Sequence, residues 1–394
     1  MYTTKPLSLY KNSPETISLP PEGPNSGFLV IQDEESTKTC CFGLCTDPSI
    51  NHLPFPQNKR LSIEYHVQTG ENSSYHSYDE VYLIPIINQP LSSNRYYAIK
   101  ADGKRKGDAY ASSKEEDQGT CCFCIPFIKD VKPKPFNPND IYQQFEFSEK
   151  VGCLGSTYLV AKSVAPDGHP PEFLRRSGWQ MNAKKLKNST LGEARGLDSS
   201  LRAHLPDFNF PLTQDCSKSV VVGKWYCPFM FIEDGRAKDQ VKQSMFYEMT
   251  LEQRWERIFA AENSYNQEKV ASVNVVVPIE MVRITGQEAV QVDRNDSGGV
   301  VWFKTVDGRG ANEQVGLSSL IIARMMWEQE RVGWVKGKEK HVRVVKDEEY
   351  PGTGDWTSFG CYIVFETFVL KRNDGSVLLT YDFKHTHQIR FKWE

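Results

Sequence analysis

The sequence predicts a mainly β protein of the α+β class, in which antiparallel sheets are built from hairpins. One observation is the recurrence of Asp-Gly, a dipeptide that suits hairpin turns because glycine tolerates a positive φ. It begins at Asp102, Asp234, Asp307 and Asp374. A second observation is that the candidate strands are rich in β-branched and aromatic residues, several of them alternating with polar ones. Repeated hairpin signals favour antiparallel sheets over a parallel βαβ architecture.

The third observation is an internal duplication in the N-terminal part of the chain. Thr-Cys-Cys-Phe occurs at residues 39–42 and again at residues 120–123, each time downstream of a strand-like run. The same offset of 81 residues (121 − 40) relates Pro54-Phe55 to Pro135-Phe136 and Asn58 to Asn139. We therefore expect the backbones at 39–58 and 120–139 to superpose, with the two phenylalanines in matching core positions.

A chain of 394 residues is long enough for two or three domains. Residues 1–165 are predicted to form an N-terminal β domain that contains the duplicated unit. Residues 166–394 are predicted to form a C-terminal antiparallel β domain with a helical insertion near 183–205. The stretch 166–171, which is rich in proline and contains Asp-Gly, is the predicted linker.

Local patterns predict the individual elements. Prolines crowd residues 1–26, which favours an extended arm over a helix. Leu197, Leu201 and Leu205 recur every four residues and support the helical insertion. Residues 320–327 fit a helix or a strand, and β-branching favours the strand. The main predicted strands are residues 27–31, 61–65, 81–87, 96–99, 154–160, 219–222, 225–232, 245–251, 273–282 and 300–303.

The clearest predicted hairpin is the last one in the chain. Residues 362–370 and 377–383 are strand-like runs, and they flank the turn sequence Arg372-Asn373-Asp374-Gly375. Gly375 is expected to adopt a positive φ, which a β-branched residue adopts only with strain.

Composition indicates a globular protein and argues against a global attraction to nucleic acid. Hydrophobic residues make up 39% of the chain and aromatic residues 12%, which is ample for a core. The formal charge is only −3, so no overall field draws the chain to polyanions. Basic runs at residues 104–106, 175–176 and 184–187 are short, and we interpret them as solvated loops or a helix face.

Six of the ten cysteines lie in two clusters, at residues 40–45 and 121–124. Cys41 and Cys45 have a spacing used by zinc sites, and Cys122 and Cys124 fall just outside that range, so these four are weak candidates for a metal site. The favoured interpretation is buried, reduced thiols beside apolar residues, since free cysteine is among the most buried residue types. S-acylation or redox chemistry is the remaining alternative.

Other candidate ligands are sparse. His385 and His387 would share one face of a regular strand, a spacing that metal sites use, but the pair alone supplies too few ligands and Asp382 has the opposite parity. We therefore expect both histidines to be polar surface residues. The tryptophans are expected to pack in cores, with a carbohydrate or peptide platform as the alternative. No phosphate-binding loop, dinucleotide fingerprint, zinc-protease motif or nucleophile elbow occurs, so the sequence indicates no catalytic residue.

Several stretches resemble a plant family known as domain of unknown function 1262. They are residues 6–10, 21–27, 89–97, 246–255 and 381–388. The resemblance covers nearly the whole chain and implies a plant source with a stress- or defence-associated setting. It implies no reaction, ligand, cofactor or catalytic residue.

The sequence favours a non-enzymatic binding or interaction protein of unknown ligand, without a cofactor. One alternative is a metal-binding or redox-responsive thiol protein, and the other is an enzyme of a class that lacks short motifs. The N-terminal residues show no signal-like apolar run, and no stretch reaches the ~18 apolar residues of a membrane-spanning helix. We therefore expect a cytoplasmic protein with reduced thiols, and the paired basic runs leave a nuclear location open.

Overall fold

A computed structural model describes residues 1–37, 39–40, 45–70, 73–121, 125–152, 157–176, 178–186, 191–263, 269–294, 299–306, 313–337 and 340–394. Strands account for 49% of the chain and helices for 15%. The predicted mainly β fold with antiparallel sheets is therefore confirmed. No helix among the described residues is long and apolar enough to cross a membrane.

The strands are numbered in chain order. They are β1 Tyr2–Pro6, β2 Gly27–Ile31, β3 Thr39–Cys40, β4 Cys45–Thr46, β5 Lys59–Gly70, β6 Ser73–Pro85, β7 Arg95–Lys100, β8 Gln118–Cys121, β9 Ile125–Ile128, β10 Gln144–Val151, β11 Thr157–Ser163, β12 Gln180–Lys185, β13 Gly196–Leu197, β14 Val220–Pro228, β15 Ile232–Glu233, β16 Phe246–Glu262, β17 Val270–Pro278, β18 Glu280–Ile284, β19 Gln287–Val292, β20 Val300–Thr305, β21 Gln314–Ser318, β22 His341–Glu349, β23 Ser358–Lys371 and β24 Val377–Trp393.

The α-helices are few and short. They are α1 Leu7–Asn12, α2 Glu172–Arg175, α3 Ser199–His204, α4 Ala237–Gln243 and α5 Ser319–Glu330. Single 3₁₀ turns lie at Pro14–Ser18, Leu91–Ser93, Glu115–Asp117, Ile141–Gln143 and Phe229–Phe231.

The chain forms two compact units whose segments interleave along the sequence. The first unit consists mainly of Met1–Ala194 and Tyr226–Tyr247. The second consists of Arg195–Trp225, Glu248–Asn295 and Val300–Glu394. The first unit continues past the predicted division near residue 165, because β12 pairs with β5 over six residues of each strand.

The first unit is organised around a six-stranded antiparallel sheet in the order β11-β10-β7-β6-β5-β12. Aromatic residues fill the core on one face of this sheet. Phe55, Tyr96 and Phe147 pack as a cluster, with ring centroids 5.0 to 5.8 Å apart. Trp179 and Met181 are buried in the same core and attach β12 to it.

The second unit is organised around an antiparallel run of strands in the order β21-β20-β19-β18-β24-β23-β16. Strand β23 lies between the long partners β16 and β24 and is buried along residues 359–370, so both of its faces are covered. One face carries Phe359 and Phe365 and packs against the two-stranded sheet of β17 and β22. The opposite face carries Val364 and Glu366, and it bears the polar site described below.

The N-terminal arm is more ordered than predicted. Residues 1–26 include α1 and the 3₁₀ turn Pro14–Ser18, besides the strand β1. The prediction of an arm without helix was wrong because the prolines occupy positions that a helix tolerates. Pro6 precedes α1 at its N-cap and Pro14 opens the 3₁₀ turn, so neither removes an internal hydrogen bond.

The predicted helical insertion near 183–205 exists only at its C-terminal end, as α3. Residues up to Lys185 belong to strand β12, where Met181 alternates with exposed neighbours. Gly196 has a φ of 87°, which interrupts any helix before α3. Asp198 then caps α3 by accepting a hydrogen bond from the Leu201 amide.

Two further predictions were wrong. Residues 320–327 belong to helix α5. The side chain of Ser318 caps the N-terminus of this helix by accepting a hydrogen bond from the backbone amide of Leu320. Ile321 and Met325 lie four residues apart in this helix and are both buried on one of its faces. The β-branched residues of the segment hid this helical period in the sequence.

The predicted linker at 166–171 does not separate the units, since His169 pairs with Ser113 through two backbone hydrogen bonds of 2.8 Å.

Both copies of the Thr-Cys-Cys-Phe repeat begin in a small two-stranded hairpin. β3 pairs antiparallel with β4, and β8 pairs antiparallel with β9. The element types therefore agree between the copies. Phe42 and Phe123 lie outside the described residues, and superposition of the two segments stays a prediction.

The hairpin of β23 and β24 confirms the prediction for the chain's last turn. Gly375 has a φ of 85°, and a Cβ at this position would meet no atom within 4 Å. A substitution here is therefore opposed by backbone strain and not by a clash. We expect Gly375→Val to lower the free energy of unfolding by about 1–3 kcal/mol, measured by denaturant titration.

Gly354 is the matched control for this substitution. A Cβ at this position would also meet no atom within 4 Å, but the φ of Gly354 is not positive. Gly354→Val should change stability by less than about 0.5 kcal/mol. Equal effects of the two substitutions would contradict the strain argument.

Candidate functional site

A cavity of about 280 Å³ lies in the second unit, beside the middle of β23. Its wall combines apolar residues with a dense group of polar ones. The polar lining residues are Ser199, Arg202, Gln253, Arg331, Glu366, His385 and Gln388. The apolar lining residues are Leu197, Ala203, Leu205, Val332 and Val364. Such a concave site with convergent polar groups is the usual form of a small-molecule pocket.

A buried ion pair between Arg202 and Glu366 forms the floor of this cavity. Arg202 projects from α3 and Glu366 from the centre of β23, and both side chains are buried. The guanidinium binds the carboxylate through two bonds, with Nε donating to Oε1 at 2.8 Å and Nη2 donating to Oε2. Nη2 also donates to the backbone oxygen of Glu328 at 3.0 Å. This two-pronged geometry is the strong form of an Arg–carboxylate interaction.

Two side-chain amides complete the hydrogen bonding of the Glu366 carboxylate. Gln253, directly opposite on β16, donates from Nε2 to Oε1 at 3.0 Å. Gln329 on α5 donates from Nε2 to Oε2 at 2.9 Å. Burial by itself would raise the pKa of Glu366, but these bonds and the charge of Arg202 outweigh it and lower the pKa below its ordinary value. Glu366 is therefore a carboxylate at neutral pH with its oxygens already occupied.

His385 on β24 joins the same network. Its Nε2 lies 2.9 Å from Oε1 of Gln329, and the amide of Gln329 already points its nitrogen at Glu366. The ring must therefore donate from Nε2, which leaves Nδ1 as a bare acceptor. Burial lowers the pKa of His385 to about 4, and the attraction of Glu366 does not offset it. The imidazole is neutral at physiological pH.

An irregularity in β24 directly after this histidine changes which side chains face the cavity. His385 is opposite Val364, but the neighbouring Ile363 is opposite Ile389, so three extra residues bulge out of β24 between the two pairs. The bulge breaks the strict alternation of faces. His385 and Gln388, which differ in parity, consequently both line the cavity.

A second carboxylate, Glu328 on α5, is fully buried behind Arg202. Arg324, one helical turn earlier, donates to it. Arg331 donates to Glu328 Oε2 at 3.5 Å, and Arg202 Nη1 lies 3.6 Å from the same oxygen. The indole of Trp327 lies under the guanidinium groups of Arg324 and Arg331, at 4.7 and 4.8 Å. The charges of α5 are thus compensated within the second unit.

Four buried polar atoms of the cavity residues have no hydrogen-bond partner among the described residues. They are Arg202 Nη1, Gln253 Oε1, His385 Nδ1 and Gln388 Oε1. Three of these atoms are acceptors and one is a charged donor. Buried polar groups are nearly always paired in folded proteins, and an unpaired group costs about 1–3 kcal/mol. Their concentration at one cavity indicates a place for a polar guest.

None of the described residues that line this cavity is a predicted metal candidate. Cys41, Cys122 and Cys124 lie outside the described residues, and so does the side chain of Cys45. The described part of the chain contains no group of three or more His, Cys, Asp or Glu residues that could hold a metal ion. Three described cysteines are free thiols: Cys216, which is exposed, and Cys227 and Cys361, which are buried.

The prediction for the histidine pair was wrong for one of its members. His387 is exposed as expected, but His385 is almost fully buried. The core prediction is confirmed for five tryptophans, Trp179, Trp225, Trp255, Trp334 and Trp356. Sequence reasoning missed Arg202, Glu366 and the three glutamines, because residues from five separate elements meet only in the fold. The available signal was Glu366 itself, a charged residue inside the otherwise apolar run of residues 359–370.

Fold and site together define a protein of antiparallel β sheets in two units, one of which carries a charged and amide-rich cavity. A family model described as protein of unknown function (DUF1262) matches residues 22–123, a segment of the first unit that includes both copies of the repeat. No curated protein matches the chain. Among solved structures, the crystal structure of Cry35Ab1 matches with a TM-score of 0.48 and 11% identity, over 86% of this chain and 90% of that one. A likeness at this level transfers no function.

The Arg202–Glu366 pair gives a stability prediction. Arg202→Met leaves a buried carboxylate without its counter-charge, and we expect the free energy of unfolding to fall by about 3–5 kcal/mol. Adding Glu366→Gln removes that charge and keeps an acceptor for the neighbouring amides, so the double variant should regain at least half of the loss. Denaturant titrations of the four proteins in this cycle measure the coupling. A double variant no more stable than Arg202→Met would contradict the assignment.

The buried His385 predicts how the free energy of unfolding depends on pH. Its pKa is lowered to about 4 in the fold from 6.5, so between these values the unfolded chain binds a proton that the native chain does not. The stabilisation is complete above pH 6.5 and is lost as the pH falls towards 4, by up to about 3 kcal/mol. His385→Asn should flatten the pH dependence of unfolding in this window. The exposed neighbour supplies the control, since His387→Asn should leave the slope unchanged.

Proposed function

We propose that the protein is a non-enzymatic binding protein and that the cavity beside Glu366 takes a small, hydroxyl-rich molecule. One observation carries this proposal: the lining residues present three unpaired acceptors and one unpaired cationic donor. Hydroxyl groups both donate and accept, so neighbouring hydroxyls of one molecule could satisfy both kinds of atom. A monosaccharide or a small cyclic polyol has this chemistry.

The size and wall of the cavity agree with such a ligand. Its volume of about 280 Å³ is at the lower end of small-molecule pockets, which start near ~300 Å³. Leu205 and Val364 supply apolar surface for the carbon face of a sugar ring. Arg202 Nη1 makes no hydrogen bond, and it can donate one to an oxygen of such a ligand.

The protonation states support binding over catalysis. A general base works best with a pKa near the operating pH, whereas burial holds the pKa of His385 near 4. Glu366 is ionised, and its oxygens accept bonds from Arg202, Gln253 and Gln329. Neither group is therefore poised to transfer a proton at neutral pH. The network is better suited to hold fixed donors and acceptors in place.

The setting of the protein is also proposed. The stretches that resemble the plant family support a plant source and a stress- or defence-associated role. The free thiols Cys216, Cys227 and Cys361 support a reducing cytoplasmic compartment. Burial raises the pKa of Cys227 to about 11 and that of Cys361 to about 12, so these two thiols are inert and do not support a redox role.

Thermal-shift titration of the full chain tests the proposed site. The probes are glucose, galactose, myo-inositol and glucuronate at millimolar concentrations. We expect at least one to raise the melting temperature in a saturable way, because a ligand of the native state stabilises it by mass action. Absence of any saturable shift would show that the cavity holds only water and would overturn the proposal.

Gln388→Leu is the decisive variant. In the native protein, Oε1 of Gln388 is buried and makes no hydrogen bond. Leucine should therefore leave the free energy of unfolding unchanged or raise it by about 1 kcal/mol, while ligand binding is lost. Gln287→Leu, an exposed glutamine on β19 of the same unit, is the matched control and should bind as the wild type does. Retention of full affinity by Gln388→Leu would place the ligand elsewhere.

A further inference from the structure

A second polar cavity, of about 230 Å³, lies within the first unit and is lined mainly by cations. Four basic side chains contribute to its wall, and no carboxylate is among the described residues that line it. The lining residues are Arg60, Tyr82, Lys106, Lys185, Leu186, Val241 and Lys242. Two of the lysines come from the basic runs at residues 104–106 and 184–187, which the fold brings together.

The cations converge from separate elements of the unit. Arg60 lies on β5, Lys185 ends β12 and Lys242 lies near the end of α4. Lys106 lies in the loop that follows β7. That loop reaches α4 only because residue 107 is a glycine. Gly107 has a φ of 92°, and a Cβ there would lie 2.9 Å from the backbone carbonyl carbon of Ala237.

Three of the four positive charges that line this cavity have no ion-pair partner among the described residues. Glu80 pairs with Arg60 at 3.0 Å and with Lys184, outside the lining, at 2.6 Å. The ammonium groups of Lys106, Lys185 and Lys242 make no hydrogen bond or ion pair with the described part of the chain. Burial lowers the pKa of Lys106, and the charges of Lys242 and Arg60 lower it further, while Asp102 acts in the opposite sense. The cluster thus brings three ammonium groups together with a single paired carboxylate, that of Glu80.

The remaining lining residues suit an organic anion. Tyr82 is largely buried, and its hydroxyl forms no hydrogen bond within the described residues, so it is a donor available to the cavity. Leu186 and Val241 add an apolar surface on the other side. Three ammonium groups, a guanidinium and a phenol together can donate to several anionic oxygens at once.

From this convergence we propose that the cavity is a binding site for a compact phosphate-class anion that carries at least two phosphoryl charges. Lysine is a common ligand of phosphate as a point charge, and arginine adds a planar fork. A cavity of about 230 Å³ is too small for an extended polymer and large enough for a diphosphate group with a short organic part. This site goes beyond the proposed binding function of the second unit and is independent of it.

Isothermal titration of the full chain with pyrophosphate tests the proposal. We expect saturable binding that weakens as the salt concentration rises, and Lys106→Gln and Lys242→Gln should each weaken it about tenfold. Two exposed lysines that do not line the cavity serve as controls. Lys104→Gln in the same basic run and Lys238→Gln on α4 should bind as the wild type does.

Stability separates a ligand site from a structural role of the same lysines. Because the cluster repels itself, Lys106→Gln and Lys242→Gln should raise the melting temperature of the ligand-free protein, whereas a structural role would lower it. A second arm uses vesicles that contain a phosphatidylinositol bisphosphate. Vesicle binding that depends on Lys106 and Lys242, without pyrophosphate binding, would identify a lipid headgroup as the source of the phosphates. No binding in either arm, or equal binding by the variants and the controls, would overturn the proposal.

Discussion

A charged carboxylate in the middle of a sheet constrains the second unit more than any other group. Glu366 lies on a strand that is buried on both faces, and an ion in that position must be paired. Its partners come from three other elements, Arg202 from α3, Gln253 from β16 and Gln329 from α5. Satisfying one charge therefore fixes how two helices pack on the sheet.

The cavity is a consequence of this arrangement. Arg202 and Gln253 each donate hydrogen bonds to Glu366, and each retains one buried polar atom that makes no hydrogen bond. The bulge in β24 adds Gln388 to the wall that His385 already lines. A fold that only needed stability would have apolar residues here, since well-packed hydrophobic groups often replace a buried ion pair without loss. Retention of so many polar atoms is the physical reason to assign a binding role.

The two cavities have opposite chemical character. The one in the second unit contains compensated charges and exposes mostly acceptors, so it suits hydroxyl groups. The one in the first unit exposes uncompensated cations, including Lys106 and Lys242, and suits phosphates. The described thiols Cys227 and Cys361 are buried with raised pKa values and lie in neither lining. The role proposed for both cavities is ligand recognition by polar side chains, in preference to thiol chemistry.

Sequence patterns alone predicted the antiparallel β class and the last hairpin, because alternation and Asp-Gly turns act over a few neighbouring residues. They misassigned α5, where β-branched residues hid a period of four, and they could not anticipate the bulge that follows His385 and brings Gln388 to the cavity. Both sites were decided by the tertiary structure alone. Arg202 and Glu366 are 164 residues apart in the chain, and Lys106 and Lys242 are 136 apart (242 − 106). No local pattern relates such residues, since their proximity follows from long-range strand pairing and helix packing.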